Sequence, residues 1–415
     1  MTLASTSSVS VQYKPELTFG AIDPTTGSGT KYFDLLVNSE SLDYNLTKVE
    51  SANINATRSI STVTTSSASA SGGIQGELVH GEYDRFLQST LQSTFTQYGT
   101  NGVGGPFTTT TNTTTTLVSS AAFTGAATLL VKGQWIRLTT DGANNGKLVR
   151  LSTTVAPTTS IITLHANTPI SATSGEAVTI QASRLMNGTT QTSFSIQRNV
   201  NDVSPVEYFT YRGMTPSKFM LNISSGALST IGFEFMGKDG VRGTPGTNPL
   251  LASTNTLVAS QVNPVHSSVN QTNCVIWAGG AALTGTYVKS LALDYDNSLR
   301  VQEAVCNLGA VGIGSGTIKC SLKMQLYFAE GATFFSQFLA NTNTDIIFST
   351  IDPDGNAYVV TVPVASVATY KVNAGGKDSD LLVDVTFTAL RDTTATSGTY
   401  NKLIAIDRCG VAMAL

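Results

Sequence analysis

The sequence predicts a mainly β protein: duplicated β-sandwich or barrel units, each with a short flanking helix, plus a small β-barrel inserted in the first. Three observations carry that prediction. Long segments alternate apolar and polar residues with a period of two, the spacing that puts one row of side chains on each face of a strand. Only 12% of the 415 residues are charged, about half the usual share, while Ser, Thr and Gly abound and 41% are hydrophobic. And the order strand, glycines, strand, helix is written twice.

In chain order, residues 1–30 are polar and turn-rich and predict an N-terminal arm. Leu42, Tyr44 and Leu46 alternate with Asp43, Asn45 and Thr47, a first strand. From Ser59 to Gly73 the chain reads SISTVTTSSASASGG, low-complexity and glycine-ended, which predicts a flexible loop at a hairpin tip. Ile74, Gly76 and Leu78 resume the alternation. Tyr83, Phe86, Leu87 and Leu91 then recur at helical spacing, an amphipathic helix.

A run of eight threonines between 108 and 116 predicts a linker. Beyond it, short strands separated by Asp-Gly, Asn-Gly and Pro turns suggest a compact inserted barrel over 106–183. Its strands are expected at 129–136, 146–151 and 161–164, with Trp135 and Ile162 as core anchors. Longer strands return between 191 and 237 (TSFSIQR, EYFTYRG, KFMLNIS, STIGFEFMG), and 240–268 is loop-like.

The second unit centres on 289–328, two long strands joined by a glycine-rich connection. In the return strand Ile318, Cys320, Leu322, Met324, Leu326 and Phe328 alternate with Lys319, Ser321, Lys323, Gln325 and Tyr327. Phe334, Phe335, Phe338 and Leu339 follow at helical spacing. Ser290-Leu291 stands where Ser41-Leu42 stood, Ile74 to Tyr83 matches Ile318 to Tyr327 without a gap, and 207–237 matches 357–387. The implied organisation is an internal duplication: arm 1–30, first unit 31–105 and 184–268, insert 106–183, second unit 269–415.

Several function classes lose support. A net charge of −3 gives no electrostatic pull towards nucleic acid. Cys274, Cys306, Cys320 and Cys409 show no CxxC pairing and predict buried thiols in a reducing compartment rather than a disulfide framework. The start lacks the basic and apolar regions of a secretory signal, and no apolar run approaches a membrane span.

Motifs that could carry chemistry have structural readings. GAVGIGSGT (309–317) resembles a phosphate loop, but an alternating strand follows where a helix N-terminus is needed. Asp352-Pro-Asp-Gly-Asn356 has calcium-loop composition without the distal glutamate, and predicts a tight turn. His80, His165 and His266 have no metal-ligand spacing, and Glu40, Glu77 and Glu82 are scattered carboxylates. No cofactor, metal or catalytic residue is expected.

The segments SESLDYNL (39–46), GGIQGELVHGEYDRFLQSTLQ (72–92), FTYRGMTPSKFMLNISSGALSTIGFEFMGKD (209–239), KSLALDYDNSLR (289–300), GTIKCSLKMQLYF (316–328) and IDPDGNAYVVTVP (351–363) resemble the major tail tube proteins of long-tailed, siphovirus-like bacteriophages. The resemblance implies two packed sheets and a helix per unit, in rings that stack into a hollow tube for DNA delivery. It also implies virion localisation after assembly in the host cytoplasm, with tape-measure and tail terminator or tip proteins as partners. Glu77, Lys319 and Lys323 are then candidates for the lumen, and the stretches bounded by Ser59 and Gly73, and by Val301 and Gly316, for contacts between rings. If each of six ring positions takes one unit, three chains complete a ring. The alternative is a surface adhesin or fibre-like β protein that binds host glycans, to which the threonine tract and small barrel would suit. A hydrolase on a β scaffold would need clustered acids or a metal site.

Overall fold

The structure is a computed structural model; it describes residues 4–22, 31–54, 56–100, 102–119, 123–140, 142–251, 256–266, 274–283, 285–328, 332–394 and 398–410. The expected mainly β architecture is present, without a closed barrel. Its spine is a continuous antiparallel sheet. A first hairpin, Asp43–Glu50 with Val63–Glu77, pairs through its second strand with Thr230–Gly237. That strand pairs with the C-terminal half of a first long strand, Glu207–Ser224. The long strand pairs with Val288–Asp296, which opens a second hairpin closed by Lys319–Tyr327. Leu382–Ala389 follows, then the C-terminal half of a second long strand, Ala357–Asn373.

Both long strands change partners midway. Their registers shift between Pro216 and Lys218 and between Val367 and Thr369, and such bulges bend and re-aim a strand. Pro216 carries no N–H, so it sits where a ladder is interrupted. Before the bulges the first long strand pairs with Phe194–Val200 and Asp239–Arg242. The second pairs with Asn343–Ile351 and Ala405–Cys409. These halves form the outer sheets that cover the inward face of the spine. One core runs through both units, joining Tyr13, Phe86 and Phe233 to Leu293, Met324, Phe387 and Ile406.

The pairing pattern repeats closely. Ser39 lies opposite Gln75 and Ser290 opposite Gln325; Asp43 faces Ser71 and Asp294 faces Ser321. Ile74 faces Phe233 as Met324 faces Val385. Leu42-Asp43-Tyr44 is therefore equivalent to Leu293-Asp294-Tyr295, and Ile74 to Met324 rather than to Ile318. The observed register differs from the match by alternation by two residues in one strand and six in the other. Slips of even length keep every side chain on its face, so alternation cannot detect them. Tyr211, opposite Ile196, answers to Val362, opposite Ile346, and Phe235 answers to Phe387, so a gapless match fails there too.

Several expectations are corrected. Within the predicted arm, Val9–Pro15 is a strand paired with Phe194–Val200, and Val11 and Tyr13 are buried; residues 1–3 and 23–30 of the arm lie outside the described set. Most of the stretch from Ser59 to Gly73 is not a loop, because Val63–Glu77 runs through it. Its Ser, Thr and Ala residues are short but strand-compatible, and Ala68 and Ala70 are buried. Gly72 has φ +139°, and a Cβ there would meet the Ser41 carbonyl at 2.3 Å, so the two strands can touch only at a glycine. The turn lies farther out, where the Ser51 amide donates to the Thr62 carbonyl.

The threonine tract is part of the insert rather than a linker: Val103–Thr108 pairs with Ala177–Gln181, and Thr109 is buried. The insert has its own apolar core, including Phe123, Ile136 and Ile162. Its sheets are open, one of Leu148–Arg150, Trp135–Thr140, Ala177–Gln181 and Val103–Thr108, another of Ile161–Thr163 and Thr116–Val118. The segment 129–136 is not one strand, since Ala126–Leu129 is helical. Trp135 leaves that core to pack on Trp277 at 5.2 Å, among Ile347 and Val359.

The helices occur as expected, at Asp84–Thr90 and Ala332–Ala340. They differ in cover. Phe86, Leu87 and Leu91 are buried; in the second helix Phe334 is buried against Phe387, whereas Phe335, Phe338 and Leu339 are exposed. Cys320 and Cys409 are buried, but Cys274 and Cys306 are exposed.

Candidate functional site: the open sheet face and its edges

On the spine, Cys320, Leu322, Met324 and Leu326 point into the core, as the alternation required. Their neighbours form the opposite, open face. Cross-strand register puts Lys323 beside Ala292, Asn222, Thr230 and Glu77 in one row, and Lys319 beside Asp296, Lys218 and Glu234 in another. The structure thus brings Glu77, Lys319 and Lys323 onto one face. Other charged groups there are Asp43, Asp294, Asp384 and Lys371.

Opposite charges alternate across this face. Lys218 Nζ lies 3.1 Å from Glu234 and 3.9 Å from Asp296, and Lys323 Nζ lies 3.4 Å from Asp294. All are solvated pairs, of modest energetic weight. The carboxylates of Asp43, Glu77, Glu234, Asp294, Asp296 and Asp384 outnumber the ammonium groups of Lys218, Lys319, Lys323 and Lys371. The face is polar and slightly acidic.

Its ends are two unpaired edges. Among the described residues, Asp43–Glu50 has a strand partner on one side only, as does the second long strand beyond Val367. At these edges Leu46, Val49 and Val372 are exposed apolar side chains. An edge of this kind is a template for another strand.

The stretch from Val301 to Gly316 folds back instead of standing free. Arg300–Gln302 pairs with Gly312–Gly314, and Leu299, Ala310 and Ile313 pack with Phe19 and Met236. Gly309, at φ +93°, lies so close to the Lys238 carbonyl that a Cβ would approach it to 2.8 Å. GAVGIGSGT is thus a small hairpin lid, with no helix after it. Val305 and Leu308 remain exposed. Ser59 is exposed in the turn before Val63, whereas Gly73 is an internal strand residue.

The scattered acids are not brought together for acid–base work. Glu40 is held by Arg198. Glu82 accepts the Gln261 amide at 2.8 Å, and burial pushes it up to about 7. Asp352 caps its own turn by accepting from the Asn356 amide and side chain, both at 2.8 Å, and Gly355 supplies the positive φ. Among the described residues no His, Cys, Asp and Glu group could hold a metal ion. Among the described residues, the depression around Trp277, Cys274 and Phe348 is lined by no carboxylate.

Two buried ionic clusters were illegible in the sequence, because their members lie hundreds of residues apart. Asp84 is paired with Arg408 and accepts the Tyr358 hydroxyl at 2.5 Å. Tyr358 in turn accepts the Gly81 amide, and the His80 ring lies 4.9 Å from it. Burial pushes His80 down to about 4. Arg184 grips Asp407 through two nitrogens, at 2.6 and 2.7 Å, while Asp407 also accepts the Trp135 amide at 3.0 Å. These clusters lock the first helix and the insert to the last strand.

A broad polar sheet face, sheet edges paired on one side among the described residues and charges spent on cross-strand pairing fit a structural β protein. The profile of the phage tail tube protein family matches residues 6–389, and the chain belongs to that family: it is a structural protein of the phage tail. No curated protein matches it.

Proposed function

We propose that three copies close into a ring with threefold symmetry and that the rings stack into a hollow tube through which double-stranded DNA passes. The carrying observation is the repeated register of the spine, in which one chain supplies two equivalent hairpin-plus-long-strand units side by side. Six such positions in a ring then need three chains. The units are unequal, since only the first carries an insert, so threefold rather than sixfold symmetry follows. Contacts that need not close axially continue as a stack.

In this reading the open face lines the lumen, with Glu77, Lys319 and Lys323 among its residues. A passage for a polyanion benefits from weak, balanced charge, because each phosphate neutralised by the wall adds binding that slows sliding. The turns beyond the hairpins reach towards the next ring, and their exposed Ile54, Ile60, Val305 and Leu308 suit burial there. Ser59 belongs to that contact, together with the tip between Val301 and Gly316. Tape-measure protein inside and terminator or tip proteins at the ends complete the assembly, which forms in the host cytoplasm and is carried in the virion.

Electron microscopy of the purified chain with symmetry analysis tests this. Tubes of threefold rings support it. Six equivalent chains per ring, or isolated particles at every concentration, overturn it.

A further inference from the structure

The chain already contains a copy of the junction that would join it to its neighbour. Within one molecule, the first long strand meets the second hairpin with Phe219 opposite Tyr295, Met220 opposite Asp294, Leu221 opposite Leu293 and Ser224 opposite Ser290. Phe219 and Tyr295 stack at 5.4 Å, and Leu221 is 5% exposed. The equivalent edge of the second unit is the second long strand beyond its bulge, and the equivalent of the second hairpin's outer strand is residues 39–45. Among the described residues neither has a partner strand on that side.

We propose that residues 369–375 of one copy pair antiparallel with residues 39–45 of a second copy in the register the internal junction dictates. This deepens the ring reading and rests on it. Matching bulge to bulge and hairpin to hairpin puts Tyr370 opposite Tyr44 of the second copy, Lys371 opposite Asp43, Val372 opposite Leu42 and Gly375 opposite Ser39. Three properties of the two edges agree with that register. Tyr370 and Tyr44, both half-buried, take the places of the stacked Phe219 and Tyr295. Lys371 and Asp43 are exposed and of opposite sign. Val372, 44% exposed, takes the place of buried Leu221.

The second helix supports the same occupant. The C-terminal end of the first helix is covered by the segment after the second hairpin's outer strand, through Asn297 donating to the Thr90 carbonyl and Gln92 to Ser315. In the neighbouring position that segment begins at Leu46 of the second copy, which is exposed. It faces the exposed Phe335, Phe338 and Leu339, beside Tyr370, which Phe335 already contacts at 5.3 Å.

Opposed residues in an antiparallel pair have Cα atoms about 4.5–5.5 Å apart, within disulfide span. The full chain carrying Cys274→Ser, Cys306→Ser, Asp43→Cys and Lys371→Cys should therefore give dimers and trimers on a non-reducing gel after oxidation. The one-residue offset pair Tyr44→Cys with Lys371→Cys, whose side chains leave opposite faces, should not. Lys371→Asp and Asp43→Lys should each raise the concentration needed for assembly at least about tenfold, by setting like charges face to face. The two together should restore it, while circular dichroism shows every variant's monomer folded. Rings that form without the 43–371 cross-link, or a double reversal no better than the singles, overturn the register and leave the ring standing. A wild-type chain monomeric at all concentrations overturns the ring reading and the register with it.

Discussion

At the scale of single residues, stability concentrates in buried charges that have few partners. Asp84 and Arg408 are almost wholly enclosed, so removing one leaves the other ionised in an apolar setting. Asp84→Ala should cost about 3–5 kcal/mol in denaturant unfolding, and adding Arg408→Met should recover part of it. His80 and Glu82 make opposing contributions to the pH profile. His80 is held at about 4 against an ordinary 6.5, so the unfolded chain protonates first and stability is lost as pH falls between those values. Glu82 is held at about 7 against 4.5; the unfolded chain ionises first, and stability is lost as pH rises through that window. The slopes offset each other in the native protein between the two ordinary values. His80→Gln should leave unfolding stability falling from pH 4.5 to 7, and Glu82→Gln should leave it falling below pH 6.5. Identical profiles for both variants would contradict the two burials.

At the scale of elements, the helices separate folding from assembly. Phe334 fills the core against Phe387, so Phe334→Ala should cost about 3 kcal/mol or more of monomer stability. Leu339 is 69% exposed, and Leu339→Ser should change monomer stability by less than about 0.5 kcal/mol while impairing assembly. The insert tells a similar story. If its separate core folds as a unit, deletion of 106–182 should leave the spine's β signal in circular dichroism. The melting temperature should nevertheless drop, because Trp277 loses Trp135 and Asp407 loses an amide donor. Complete loss of β structure would make the insert integral to the core.

At the scale of the whole molecule, the face proposed to line the lumen carries little net charge. Replacing Glu77, Asp294 and Asp296 by lysine turns the open face basic. Assembled tubes of that variant should bind double-stranded DNA with a steep salt dependence, while wild-type tubes show little affinity and a shallow slope. Tight, salt-sensitive binding by the wild type would contradict a lumen formed by this face.

Much of this was legible in the residues. The in–out alternation from Cys320 to Leu326, the two helices, the turn at Asp352 and the recurrence of strand, glycines, strand, helix were all written in local patterns of period two or 3.6. Those patterns report which face a side chain takes, and Glu77, Lys319 and Lys323 share one face of the spine. They do not report register, since a slip of two or six residues preserves every face; Leu42-Asp43-Tyr44 was thus aligned away from Leu293-Asp294-Tyr295 despite sharing its letters. Nor do they report contacts between distant segments. Small residues from Ser59 to Gly73 read as flexible because nothing in their own chemistry names the strands that hold them, and Trp135 read as an anchor for its own domain because Trp277 lies 142 positions away. The sequence by itself determined the elements and their faces. Only the tertiary structure decided the pairing of strands, the burial of Asp84 with Arg408 and of Arg184 with Asp407, and the two edges left open, because each depends on hydrogen bonds and desolvation between groups the chain brings together only on folding.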